Sequence, residues 1–262
     1  MKKYNMKKVI SISVVLGLVL SFFLIKYDID IIYFLKTIFV LLVIYIIVMT
    51  AILMHKDFKR QKDMLSSGRY DELIKYYEEK HQKFNGRRGY KQQHLINVAG
   101  CYHRIGQFQE SLDLLYTVED NKLDKNMKAG YYALVSLNLY FLERNLDKAE
   151  ELIIKSRKLL DMPESILLQA LISIELDNKV DTNKLLQEYH EKTNKKKFIF
   201  GIYTVLYIDE YTRNVSEKFM LGLYYQKIGD KEKAKRYFSE AAECNYKNYF
   251  SDIAREYTIN LN

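Results

Sequence analysis

The residues best suited to chemistry in this chain are five histidines and two cysteines, and none is spaced for it. The histidines are His55, His81, His94, His103 and His190. No two form the His-x-x-x-His pair of a helical metal site, and there is no Cys-x-x-Cys. His94 and Cys101 stand seven apart and share a face if the segment is helical, but two ligands do not make a site. Cys101 and Cys244 sit in apolar helical patterns, which suits small core residues in a reducing compartment. No phosphate-cradling Gly-x-x-x-x-Gly-Lys loop and no Gly-x-Ser-x-Gly elbow occurs. The acidic pairs Glu78/Glu79 and Glu150/Glu151 fall on amphipathic patterns and read as solvated faces. The sequence thus predicts no catalytic residue, no metal, no cofactor and no enzyme.

The elements behind these residues change character near residue 55. Val9 to Ile25 is an uncharged run, and Ile31 to Met54 is a second one broken only by Lys36. A membrane span takes about 20 apolar residues. Both runs are predicted to cross, as a hairpin over residues 1–54 with spans at about 9–25 and 31–54. Lys36 is close enough to its boundary for the stem to carry the ammonium back to the headgroups. Lys2, Lys3, Lys7 and Lys8 precede the first run, and Lys56, Lys59, Arg60 and Lys62 follow the second. The connecting loop holds one lysine against Asp28 and Asp30. Positive flanks stay inside, so residues 55–262 are expected in the cytoplasm of a multi-pass protein of the cell membrane. The alternative for the first run is a secretory signal peptide. No small-x-small cleavage pattern follows Leu24, and a second apolar run comes directly after. Ser11, Ser13, Gly17 and Ser21 put small residues near one face of the first span, which permits close helix packing.

The whole chain carries a net charge of +8 over 262 residues. Residues 1–54 hold six basic and two acidic residues, and the rest hold 35 and 31. The large domain is therefore only mildly basic, with interspersed signs. That argues against a nucleic-acid surface, which concentrates Lys and Arg on one face, and suits a domain near anionic lipid.

After residue 55 a pattern repeats. Ala99, Tyr102, Gly106, Phe108, Ser111, Leu115 and Val118 set it: small residues for close helix approach, bulky ones for the groove, and a glycine for the turn. It returns as Gly222, Tyr225, Gly229, Ala234, Phe238 and Ala241, with Lys231 at the second aromatic position. It returns again as Leu137, Tyr140, Arg144, Leu146, Ala149, Ile153 and Ser156, with Arg144 at the glycine position. Gly68, Tyr70, Leu73 and Tyr77 form a fragment of it. The stretches "NVAGCYHRIGQFQESLDLL", "LVSLNLYFLERNLDKAEELI" and "FMLGLYYQKIGDKEKAKRYFSEAAE" resemble the tetratricopeptide repeat (TPR), a helix–turn–helix unit of about 34 residues. The resemblance covers most of residues 56–244, without the family's early tryptophan.

The expected fold is all-α: the hairpin, then a TPR-like α-solenoid of antiparallel helix pairs over 55–262. Residues 55–67 continue the second span as the first helix of the first pair. Helices are predicted at about 71–82, 91–105, 108–119, 127–143 and 146–160. Asn85 to Gly89 is a loop and Asn121 to Lys125 a connector. A degenerate pair follows from Glu164 to His190, turning near Asp177-Asn178, with Pro163 at a helix boundary. Lys192 to Lys197 reads as a solvated loop, with contact to acidic lipid as a second reading. Phe198 to Tyr211 is apolar and is assigned helix, although its β-branched and aromatic content also suits a strand. Residues 215–228 and 231–244 form the last pair, and Tyr249 to Ile259 a capping helix with a polar outer side.

The resemblance implies that the first helix of each pair lines a concave groove. The groove-facing positions are then Phe58, Lys62, Ile96, Gly100, His103, Arg104, Tyr131, Leu134, Asn138, Phe141, Phe219 and Leu223. Some members of the family grip a peptide carboxylate with Lys and Asn. Here Asn97 and Asn138 are the nearest counterparts, while Ile96, Gly100 and Leu134 stand where polar groups are needed. The groove reads as apolar and aromatic, suited to a partner helix or hydrophobic segment. It is open to such a partner, or it is filled by residues 198–211 or by tight superhelical packing. The predicted role is a membrane-anchored scaffold or assembly factor for a protein or peptide partner, with lipid contact and no nucleic acid. A peptide-sensing receptor and an accessory subunit of a membrane transport complex are the alternatives.

Overall fold

The computed structural model describes residues 31–84, 90–177, 180–194, 210–244 and 248–260. Among the described residues there are eleven α-helices, one 3-10 turn and no strand. The chain divides into two compact units, Met1–Phe58 and Lys59–Asn262.

Helix α1 (Ile31–Ser66), which belongs to the first unit up to Phe58, contains the stretch Ile38–Ser66, 29 residues and long and apolar enough to cross a membrane. Large apolar side chains are exposed along it from Ile38 to Phe58, with Phe39 at 67% and Leu53 at 61%, while Met64 and Leu65 near its end are buried. Thr50 satisfies its hydroxyl inside the helix by donating to the Ile46 carbonyl at 2.7 Å. The first predicted span, the loop after it, and the small-residue face lie outside the described residues.

The second unit is a succession of helix pairs. The end of α1 pairs with α2 (Tyr70–Phe84), and α3 (Tyr90–Arg104) with α4 (Phe108–Leu115). After a 3-10 turn at Asp120–Lys122, α5 (Lys125–Phe141) pairs with α6 (Leu146–Leu159), and α7 (Pro163–Glu175) with α8 (Thr182–Asn194). Then α9 (Glu210–Lys227) pairs with α10 (Lys231–Ala242), and α11 (Tyr249–Asn260) ends the array.

One turn device joins the pairs. Gly68, Gly106 and Gly229 have φ of 67°, 82° and 83°. The amide after each bonds back five residues: Arg69 to Met64 at 2.9 Å, Gln107 to Tyr102 at 2.9 Å, and Asp230 to Tyr225 at 2.9 Å. This is the Schellman closure that satisfies the last carbonyls of a helix. In the third pair the same bond runs from Arg144 to Leu139 at 3.0 Å. The left-handed residue is therefore Glu143 (φ 51°), one position before Arg144. Asn145 (φ 47°) is inserted and caps α6 by accepting from the Lys148 amide at 3.1 Å. The repeat position that the sequence assigned to Leu137 is thereby Ser136, and that of Tyr140 is Leu139. In the fourth pair Asp177 takes the turn (φ 49°), 34 residues after Glu143.

Counting back seven from each turn gives Gln61, Ala99, Ser136, Ala170 and Gly222, all buried. Four of the five are small, and the helices meet there. Ser111 Oγ donates to the Ala99 carbonyl at 2.8 Å, and Ser136 Oγ to that of Ala149 at 2.7 Å. A Cβ on Gly222 would meet the Phe238 ring at 2.6 Å. Gln61 fills its place with hydrogen bonds to the Tyr76 and Tyr77 hydroxyls at 3.4 and 3.1 Å.

Pro163 opens α7 at its first turn, where its missing N–H costs nothing. Helix α4 stops at Leu115, short of 119, and α5 starts at Lys125 behind the Asp124 cap, which accepts from the Met127 amide at 2.8 Å. Helix α8 runs through Asn194, so Lys192 and Thr193 are helical rather than in the expected loop. Lys192 is drawn to Asp161 and lies 3.6 Å from Glu188, which ties it to the connection between α6 and α7 and to its own helix α8. Residues 195–197, the expected helix from 198 to 209, the loop 85–89 and Asn178 lie outside the described residues.

Candidate functional site

The centre of the second unit is a buried polar chain inside an aromatic cluster. Asn138 on α5 donates from Nδ2 to Ser111 Oγ at 2.8 Å, and Ser111 donates onward to Ala99. Asn138 Oδ1 is left as an acceptor and faces His103 Nδ1 at 2.8 Å. His103 therefore carries its proton on Nδ1. Burial pushes its pKa down to about 4, against the raising effect of the Asn138 bond, so the ring is neutral at pH 7. Every link has a partner, as buried polar groups require. Three helices are held together by one chain of hydrogen bonds.

Around His103 stand Phe108, Phe250 and Phe141, with ring centroids at 5.2, 5.4 and 5.9 Å. Phe250 comes from the first turn of α11. It also meets Phe141 at 5.2 Å and Phe219 at 5.6 Å, and is 2% exposed. Tyr249 sets its edge against Phe108 at 5.1 Å. The close approach depends on Gly106, where a Cβ would lie 2.3 Å from the Tyr249 ring. Asn248 secures this turn by accepting from the Ser251 amide at 2.9 Å. The expected capping helix thus reaches across the inner face, and among the described residues Phe250 is a ring that fills it.

Two spaces remain. A cavity of about 110 Å³ is bordered by His103, Arg104, Leu134 and Phe141, together with Ser165 and Asn248. A larger cleft of about 490 Å³ is bordered by Phe141, Phe219, Leu223, Tyr249, Ile253 and Tyr257. Lys227 and Glu175 form an ion pair at its margin.

The sequence-predicted positions divide between these surroundings. His103, Arg104, Leu134, Phe141, Phe219 and Leu223 border one or both spaces. Ile96 is buried in the core, and Asn138 is wholly buried in the polar chain. Gly100 is buried, and its carbonyl accepts from Arg104 Nη1 at 3.0 Å. Tyr131 is half-buried, 5.4 Å from the Tyr132 ring. Lys62 is partly buried, and Phe58 is exposed in the first unit. Sequence reasoning missed Phe250, Ser165 and Asn248. The signal for Phe250 was the apolar spacing Phe250, Ala254, Tyr257 on the last helix; Ser165 was marked only by following the helix-opening proline.

Other candidate groups lead elsewhere. His81 and His94 stack at 4.5 Å with planes 10° apart. Burial, with His81 as a second cause, lowers the pKa of His94. Among the described residues no three of His, Cys, Asp and Glu are grouped to hold a metal. Burial pushes the Cys101 thiol up to about 12, far from a reactive thiolate.

No curated protein and no solved structure gives a significant match to the chain. A protein family does, described as the SusR N-terminal TPR domain, and it covers residues 69–254. That span starts at the first turn and ends inside α11. It takes in the recurrent turns, the polar chain and the aromatic closure. The chain belongs to this TPR family.

Proposed function

We propose that this protein is a membrane-anchored interaction scaffold that holds a partner protein by burying an apolar segment of it. The observation that carries the reading is the cleft of about 490 Å³ where Phe141, Phe219 and Leu223 meet Ile253 and Tyr257. The cleft is mixed in character: its apolar residues stand beside Glu143, Glu175 and Lys227, and concave spaces that combine apolar surface with convergent polar groups are where ligands and partner segments are held. Membership of a TPR family supports a role in protein interaction. The exposed apolar stretch of α1 supports anchoring, since such a surface has no favourable place in water. The anchor raises the local concentration of the domain for partners at the same bilayer. The topology behind this reading has two spans and a cytoplasmic array.

The test is site-specific photo-crosslinking in native membranes. A photoreactive residue replaces Ile253 in the cleft, or Tyr116, which is 61% exposed on α4's end, as a control. A discrete adduct at 253, absent at 116 and lost in Leu223→Asp, supports the reading. The same adducts at both sites, or none at 253, move the partner surface elsewhere.

A further inference from the structure

The smaller cavity carries an inference that does not depend on a protein partner. Its walls are largely apolar, from Leu134, Leu137, Ile153, Leu168 and Met220. Charged residues of both signs, Arg104 on α3 and Glu164 on α7, also border it. Among the described residues, Arg104 makes one hydrogen bond, to the Gly100 carbonyl. A guanidinium has five N–H donors, so it has capacity for further acceptors. Arg104 is partly buried there, and a cation beside apolar walls gains from an anion that meets it.

The opposite wall is the start of α7. Met162, Glu164 and Ser165 all border the cavity, and Met162, at the cap position, gives no side-chain cap. Ser165 is 1% exposed, and among the described residues its Oγ has no hydrogen-bond partner. A buried hydroxyl without a partner costs about 1–3 kcal/mol, and facing a cavity it is placed to receive one. Asn248, 4% exposed, adds an amide to the same rim.

We propose that this cavity binds a small zwitterion with an apolar side chain, of the α-amino acid class. The carboxylate meets Arg104, the ammonium meets Glu164, Ser165 bonds to either group, and the apolar side chain lies against Leu134, Leu168 and Met220. Size agrees: at roughly 10–15 Å³ for each water-sized atom, the space holds about seven to eleven non-hydrogen atoms, and leucine has about nine. A dianion such as phosphate is disfavoured by Glu164. A purely apolar ligand makes no use of the two charged residues in the lining.

The test uses the full chain in lipid nanodiscs, with L-leucine as the probe and calorimetric titration as the readout. Two analogues accompany it: 4-methylpentanoate, which lacks the ammonium, and isopentylamine, which lacks the carboxylate. Saturable leucine binding is expected, with each analogue at least tenfold weaker. Arg104→Met and Glu164→Gln are each expected to weaken leucine at least tenfold. Ala133→Ile, which fills the cavity wall, is expected to abolish binding with unchanged helical content. No saturable binding of leucine by the folded wild type overturns the proposal. So does binding of 4-methylpentanoate or isopentylamine as tight as leucine, or leucine binding undiminished in Ala133→Ile. The photo-crosslinking at Ile253 is read separately, so failure of one reading does not bear on the other.

Discussion

His103 is buried, neutral and bound through Nδ1 to Asn138, and this gives stability a pH dependence of known sign. Its folded pKa of about 4 lies below the ordinary 6.5. As pH falls from about 6.5 to 4, the unfolded chain gains a proton that the folded one refuses. The contribution is complete above 6.5 and is lost on acidification, by about 3 kcal/mol at full extent. His94 is shifted in the same direction. Thermal unfolding of the full chain in detergent micelles, followed by circular dichroism at pH 7.5, 6 and 5, is expected to show the loss. His103→Gln is expected to flatten it relative to wild type; carboxylates that titrate in both chains cancel in the difference. An equal pH slope in the two chains would show that His103 carries none of this dependence. None of this was legible from the residue alone. His103 was assigned to a groove by its place in the repeat, and Asn138 was compared with a peptide clamp. They stand three and five residues before the turns of their own pairs, but only packing of neighbouring pairs brings them to hydrogen-bond distance.

At the scale of elements, the turns were legible where glycine wrote them. Gly68, Gly106 and Gly229 were read correctly, because a left-handed turn residue leaves a local mark. Glu143 and Asp177 carry the same conformation without that mark, which is why the third turn was placed one residue late and the fourth only approximately. The two best turns also differ in a way that can be measured. Gly106 and Gly229 have nearly equal φ, but a Cβ at 106 strikes the Tyr249 ring while one at 229 meets nothing within 4 Å. Gly229→Ala is expected to cost about 1 kcal/mol, for the left-handed backbone alone. Gly106→Ala is expected to cost at least about 1–3 kcal/mol more, for overpacking. In a Tyr249→Ala background the excess should vanish, as a double-mutant cycle on thermal unfolding would report. An excess that survives there would place the strain in α3 and α4 rather than against α11.

For the molecule as a whole, the proposed topology makes a direct prediction. Tyr116 is exposed on the array, so a Tyr116→Cys substitution offers a thiol for labelling. Cys101 is buried, and Cys244→Ser removes the half-buried second thiol. An impermeant maleimide is expected to label Tyr116→Cys only after the cells are opened, and alkaline carbonate should leave the chain in the membrane pellet. Labelling of intact cells would reverse the orientation. Release by carbonate would remove the anchor from the proposed function.

What the sequence by itself determined is everything that local pattern controls. The apolar stretch of α1, the helical class, the pairing around glycines and the small residues at helix crossings all follow from side-chain spacing and backbone conformation. TPR membership follows from their recurrence. What only the tertiary structure decided is what the repeats enclose. The position of α11 is the accumulated result of every crossing before it, so no local window encodes that Phe250 meets His103, Phe141 and Phe219. The cavity has the same origin. Arg104 and Ser165 lie on α3 and α7, separated by sixty residues of chain, and share one space only because the intervening helices turn them toward it.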